Sequence, residues 1–298
     1  MAQQPTITPN QLTDFLLRNP RATLAYSNKR TIHIHLLPPG PDAQPLDLEP
    51  IRDANKVIHP AQPIRPLWLL QRRGHTYSDY TACQNEPIRL GTQIQPRNAP
   101  WVGTAGAPCA WPGPDKATRW GFLTNWHVAH GGIGSDRHPI HQPTDAQGII
   151  GYRDEFAQPT PAGVNTIDAC LVDCFVQGKH TIAWSILGED TFSPEPRNAT
   201  VGQGAFKTGR TTGLTEGACV AVGASARVDY GDFTAVFQDQ DVFEGTRQLF
   251  GDAGDSGSMI LCACNRGPMS LLFAGSGRTT LGNPIRHVIA ALNLSFAP

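Results

Sequence analysis

The sequence predicts an all-β protein, closed as a sandwich or barrel, and three observations lead there. The apolar stretches Gly121-Phe122-Leu123-Thr124, Ala169 to Phe175, Ala218 to Val222, Thr234 to Phe237, Ser258 to Cys262 and Leu271 to Ala274 are each of strand length. They are separated by turn formers, in a chain that carries 30 Gly and 26 Pro yet is 40% hydrophobic, so it is turn-rich and still able to fill a core. Helical periodicity is confined to short segments near the two ends, which excludes a long-helix or coiled-coil protein. Regularly recurring short strands with turn signals between them are the pattern of sandwiches and barrels.

Taken in order, residues 1–85 form an N-terminal extension of uncertain fold. Thr8-Pro9 is an N-cap and first-turn pair, opening a short helix with Leu12, Phe15 and Leu16 on one side. Asn19-Pro20 ends it. Thr31 to Leu36 alternates as a half-buried strand, with His33 and His35 on one face, read as exposed rather than as metal ligands. From Pro38 to Pro66 prolines recur every few residues, and nothing regular is expected there beyond a short helical turn. Strand grammar begins near residue 86. Gly188 to Asn198, with Pro194 and Pro196, reads as the connection between a first half, 86–187, and a second, 188–298. Asn283-Pro284 opens a C-terminal helix with Ile285, Val288, Ile289 and Leu292 at helical spacing.

Charge excludes some functions. Twenty-four Lys and Arg balance 25 Asp and Glu with no basic stripe, so no nucleic-acid partner is expected. No apolar run reaches the length of a membrane helix. The first residues lack a basic n-region and an apolar core, so no secretory signal is read and a cytoplasmic location is expected. Seven cysteines, an odd and sparse set, read as reduced thiols. Cys170/Cys174 and Cys262/Cys264 lack the spacing of paired zinc ligands and read as small core residues, so no metal is expected. Gly178-Lys179 lacks the rest of a P-loop, and no organic cofactor is expected.

Three strings carry chemistry. In Phe250-Gly251-Asp252-Ala253-Gly254-Asp255-Ser256-Gly257-Ser258, glycines flank a serine, allowing a tight turn that exposes its hydroxyl. A serine needs an adjacent base to become a nucleophile, and its tetrahedral product needs amide donors, here from Gly254 and Ser256. Gly121 to Ala129 runs an apolar strand into His127, a position for that base. His130 is a decoy on the loop Gly131-Gly132-Ile133-Gly134, and His138 and His141 are read as solvent-facing. Asp168, entering the apolar strand Ala169-Cys170-Leu171-Val172, would be costly to bury unpaired and is suited to orienting an imidazole. Asp173 is the competing acid, at the strand's far end.

The chain order His, Asp, Ser and these strings resemble trypsin/chymotrypsin-like serine endopeptidases of bacterial type, from about residue 86 to the end. Leu123-Thr124-Asn125-Trp126-His127-Val128-Ala129 resembles the family's histidine motif, Asp168-Ala169-Cys170-Leu171-Val172 its aspartate strand, and Gly254-Asp255-Ser256-Gly257-Ser258 its serine motif. Lys207-Thr208-Gly209-Arg210-Thr211-Thr212-Gly213 resembles a strand of bacterial members in which the arginine pairs with the aspartate before the nucleophile. The resemblance thus implies that Arg210 neutralises Asp255 as structural support. It also implies two antiparallel β-barrels, the first (86–187) carrying His127 and Asp168 and the second (188–298) carrying Ser256. The pocket floor falls on Phe250 and its wall on Gly275 and Ser276, in a shallow, uncharged pocket that prefers small or apolar side chains. The expected substrate is a protein or peptide.

The sequence departs from secreted relatives at Val128, where many carry a cysteine, and has no Ile-Val-Gly-Gly-like activation site. Two other readings compete. One is a latent or non-catalytic protease-like module regulated by a protein partner, with the proline-rich segment covering the crevice or docking that partner. The other is an esterase, opposed by the order of the three residues and by the lack of a Gly-x-Ser-x-Gly elbow.

Overall fold

The computed structural model describes residues 7–28, 31–67, 69–70, 80–130, 137–188 and 192–297. Two antiparallel barrels pack with the candidate site between them. The first is a sheet of eight strands in the spatial order Leu69–Leu70, Trp101–Thr104, Gln93–Pro96, Pro139–His141, Ile149–Ala157, Ala169–Asp173, Thr118–Thr124 and Pro108–Pro112. Its inward residues, among them Ile94, Phe122, Leu123, Ile140, Leu171 and Val172, share one core with the C-terminal helix residues Ile285, Val288 and Leu292. In the second barrel the strands Thr234–Gly245, Thr279–Pro284, Pro268–Ser276, Met259–Cys262, Gly204–Gly209 and Gly213–Asp229 pair in that order. The last returns to pair with the first, closing a ring of six with no free edge.

The N-terminal extension is built into the second barrel. The helix Pro9–Arg18 (α1) begins with the expected Thr8 cap, strengthened by Gln11, whose side chain accepts from the Thr8 amide while its own amide donates to Thr8 Oγ1. Leu12, Phe15 and Leu16 are buried as their spacing requires. The strand Ala22–Asn28 pairs with Gly213–Asp229, aligning Leu24 with Ala226 and Ala25 with Ser225, and Thr31–Leu36 follows it. Ile32, Ile34 and Leu36 point into a core with the helix.

Two expectations for this region are corrected. The proline-rich stretch is not merely irregular: Asn55–Pro60 is a strand parallel to Thr31–Leu36, and Arg65–Pro66 is another, paired with Pro268–Ser276. Edge positions tolerate prolines because the amide they lack would face away from the sheet. That added strand also covers His33 and His35, so the pair is not an exposed face. His33 stacks between Tyr26 and His59, at 5.0 and 5.2 Å between centroids, and burial lowers the His35 pKa to about 4.

The C-terminal helix runs from Ile285 to Leu292 and stops at Asn293 in a left-handed conformation. No described residue between Ile186 and Gly204 belongs to a helix or strand, and residues 189–191 lie outside the described set. The loop Gly131-Gly132-Ile133-Gly134 also lies outside it. Among the described residues no helix is long and apolar enough to cross a membrane, and no cluster of His, Cys, Asp and Glu could hold a metal ion. The cysteine reading is corrected at one pair: Cys262 and Cys264 form a disulfide, while Cys83, Cys109, Cys170, Cys174 and Cys219 are free.

Candidate active site

His127 lies in the single helical turn Trp126–Ala129 (α2), directly after the strand Thr118–Thr124. Asp168 precedes the neighbouring strand Ala169–Asp173, paired so that Thr124 faces Cys170, which brings the two side chains to the same barrel end. His127 Nδ1 is 2.5 Å from Asp168 Oδ2, and the His127 amide donates to Oδ1 at 3.2 Å. Both residues are buried. The other ring nitrogen, Nε2, is buried and has no hydrogen-bond partner.

Asp168 holds more donors than the sequence indicated. The Tyr230 hydroxyl donates to Oδ2 at 2.7 Å, and burial beside that carboxylate raises the Tyr230 pKa well above its ordinary value. Asn125 Nδ2 donates to the Asp168 carbonyl at 2.7 Å, while the Asp168 amide donates to Asn283 Oδ1 at 2.9 Å. Asn283 is itself fixed by Gln240 at 2.7 Å. Asn125 sits within the quoted histidine string, but nothing local marks Tyr230 or Asn283. Asp173, the competing acid, is bound instead by Arg137 at 2.8 Å, remote from the imidazole. Among the other histidines, His130 stacks on Trp126 at 4.7 Å and burial lowers its pKa to about 4. His141 corrects its reading as solvent-facing: it is buried, with Nδ1 2.8 Å from the Gln147 carbonyl.

Ser256 arrives from the second barrel on a turn in which Gly254 (φ +104°) and Gly257 (φ +96°) take conformations open to residues without a side chain. Thr104 of the first barrel clamps this turn, its amide donating to the Ser256 carbonyl at 2.8 Å and its hydroxyl to the Gly254 carbonyl at 2.9 Å. The Ser256 hydroxyl donates to the Phe273 carbonyl at 2.9 Å. The Gly254 and Ser256 amides converge on one oxygen, the carbonyl of Leu67, at 2.5 and 3.1 Å.

Asp255 is fully buried, and its partner is Lys207 rather than Arg210. Lys207 Nζ lies 3.0 Å from Asp255 Oδ2. The Thr212 hydroxyl adds 2.6 Å to the same oxygen, and the Thr211 and Thr212 amides donate to Oδ1 at 2.8 and 3.2 Å. The correction follows from strand alternation: Lys207 and Gly209 share a face, and a side chain at Gly209 would run into Asp255. Arg210 turns to the neutral Gln93 side chain, at 2.9 and 2.6 Å.

Phe250 is buried in an apolar cluster with Phe243, Ile260, Met269 and Leu272, against which Leu67 packs. Gly275 lies beside that side chain. Ser276 lines a cavity of about 510 Å³ with Thr23, His35, Gln62 and Ile64.

No family model matches this sequence, and no curated protein matches it. Solved structures do match in fold. A Nocardiopsis protease aligns over 70% of this chain and 97% of its own at 18% identity and a TM-score of 0.51. Thermobifida fusca protease A aligns over the same shares at 18% and 0.50. A glutamic acid specific serine protease aligns over 70% of this chain and 99% of its own at 19% and 0.50. The chain has the chymotrypsin-like double-barrel fold of these proteins.

Proposed function

We propose that this protein is a serine endopeptidase. The observation that carries the reading is the pair of amides of Gly254 and Ser256, both directed at a single peptide carbonyl oxygen, in a fold that also holds a buried His127–Asp168 pair. Amides so aligned stabilise the negative oxygen of a tetrahedral adduct more than the carbonyl that precedes it. In this reading residues 86–187 supply His127 and Asp168, and residues 188–298 supply Ser256.

Ser256 Oγ attacks the substrate carbonyl carbon while His127 Nε2 takes the hydroxyl proton. Asp168 holds Nδ1 protonated and stabilises the imidazolium. His127 then gives its proton to the departing amine, leaving an acyl-enzyme ester on Ser256. Water, deprotonated by His127, cleaves that ester and restores the serine. The Lys207–Asp255 pair holds the turn on which the two amides are aimed. The residues themselves supply nucleophile, base and oxyanion donors, so the scheme draws on no cofactor.

One observation favours the second reading, a latent module regulated by a partner. The Ser256 hydroxyl is bonded to the Phe273 carbonyl, leaving His127 Nε2 without a donor. Labelling with a fluorophosphonate probe separates the two. An active enzyme labels at Ser256 and loses the label in Ser256→Ala and His127→Ala. A folded wild-type protein that stays unlabelled favours latency.

A further inference from the structure

The chain carries a peptide of its own across the crevice between the barrels. Upstream, Ile64 bridges Val228, its carbonyl accepting from the Asp229 amide at 2.9 Å, and Arg65 lies 3.5 Å from the Asp229 carboxylate. Arg65 and Pro66 then pair antiparallel with Gly275 and Ala274. The Leu67 amide donates to the Phe273 carbonyl at 3.1 Å, and the Leu67 carbonyl receives the Gly254 and Ser256 amides. Downstream, Leu69 and Leu70 pair antiparallel with Val102 and Trp101 of the first barrel. Trp68, between the two paired stretches, lies outside the described residues. The backbone is thus held on both sides of one peptide bond, and the carbonyl of that bond is the one on the two amides.

From this register we infer that the protein cleaves its own chain after Leu67, at the bond joining it to Trp68, and that it selects leucine-sized apolar side chains on the acyl side of the bond. The inference rests on the endopeptidase reading. Leu67 fits as a residue to be recognised: it packs on the apolar cluster of Phe250, Phe243 and Leu272, and a Cβ at Gly275 would come within 3.1 Å of Leu67 Cδ1. The cluster presents apolar carbon to Leu67, so packing a basic or acidic side chain there would carry a desolvation cost.

The step balances with water as the one co-reactant. Ser256 Oγ bonds to the Leu67 carbonyl carbon, and its proton passes to His127 Nε2. The bond from that carbon to the Trp68 nitrogen breaks, the nitrogen leaving as an amine with the His127 proton. Water then attacks the ester, giving a Leu67 carboxylate and a regenerated serine. Before attack the Ser256 hydroxyl must leave the Phe273 carbonyl for the unpartnered Nε2. Because both flanks are already paired, the reaction is intramolecular and spends little entropy on positioning.

The test follows the full chain over time by intact mass and N-terminal sequencing, with fluorophosphonate labelling in parallel. Wild type should yield residues 1–67 and a fragment beginning Trp68-Leu69-Leu70, at a half-time independent of protein concentration across a hundredfold dilution. Ser256→Ala should stay whole, with its folding checked by thermal unfolding. Leu67→Asp should stay whole yet still take the label at Ser256. A wild-type chain that labels but remains uncut, or is cut at another bond, overturns self-cleavage and leaves the endopeptidase reading standing. A folded chain neither cut nor labelled overturns both.

Discussion

Two contacts at residue scale decide how the site is held, and each makes a prediction. Tyr230 donates to the buried carboxylate of Asp168 that is paired with His127. A buried hydrogen bond to a charged group contributes about 1.5–3 kcal/mol. Tyr230→Phe should therefore slow fluorophosphonate labelling by roughly ten- to a hundredfold while the protein stays folded, and an unchanged rate would deny the hydroxyl any part in catalysis. Lys207 faces the fully buried Asp255. Removing one partner of a buried pair leaves the other uncompensated, at about 3–5 kcal/mol. In thermal or denaturant unfolding Lys207→Met should lose more stability than Arg210→Met, whose lost partner is a neutral amide. The opposite ranking would return the supporting role to Arg210. The candidates His127, Asp168 and Ser256 stand out in the sequence because the proposed chemistry needs those residue types in short local strings. Tyr230 could not, since it reaches Asp168 only after sixty-odd residues of chain fold back. Lys207 and Arg210 stand three apart in one basic string, and only the side of the strand each occupies tells them apart.

The elements were legible wherever periodicity was local. The Thr8 cap, the alternation of Ile32, Ile34 and Leu36, and the spacing of Ile285, Val288 and Leu292 all reappear in the structure. The strands Asn55–Pro60 and Arg65–Pro66 were not, because their prolines and exposed side chains give no alternation and their pairing is decided by the neighbour. One element contact carries a pH dependence. Asp241, on the strand Thr234–Gly245, accepts from the Ser270 hydroxyl of Pro268–Ser276 at 2.5 Å, while its second oxygen is buried without a partner. Burial pushes its pKa up to about 7 from an ordinary 3.8. The folded protein therefore holds a proton that the unfolded chain has released between those values, and stability falls as pH rises through that window. Asp241→Asn should flatten the fall: its melting temperature relative to wild type should climb from pH 5 to pH 8. A difference that stays constant with pH would place the titration elsewhere.

At the scale of the whole molecule, the extension has two roles that the sequence did not separate. Residues 64–67 cross the crevice, whereas the described residues among 7–60 complete the second barrel's outer surface. Leu12, Phe15, Leu16, Ile32, Ile34 and Ile51 form a core of their own. That core is fastened to the barrel by backbone pairing at Leu24 and Ala25, by Arg227 donating to the Leu16 carbonyl at 2.6 Å, and by Thr13 and Ser225 hydroxyls 2.8 Å apart. Fully burying each large apolar side chain contributes about 1.5–3 kcal/mol, so a scission after Leu67 does not by itself loosen these contacts. The two fragments should stay together: gel filtration of cleaved protein should give one peak at the mass of the intact chain, resolving into two bands only under denaturing conditions. Dissociation in native buffer would mean that the extension is held chiefly through the crevice. Cutting would then release it as a propeptide instead of leaving it as part of the barrel.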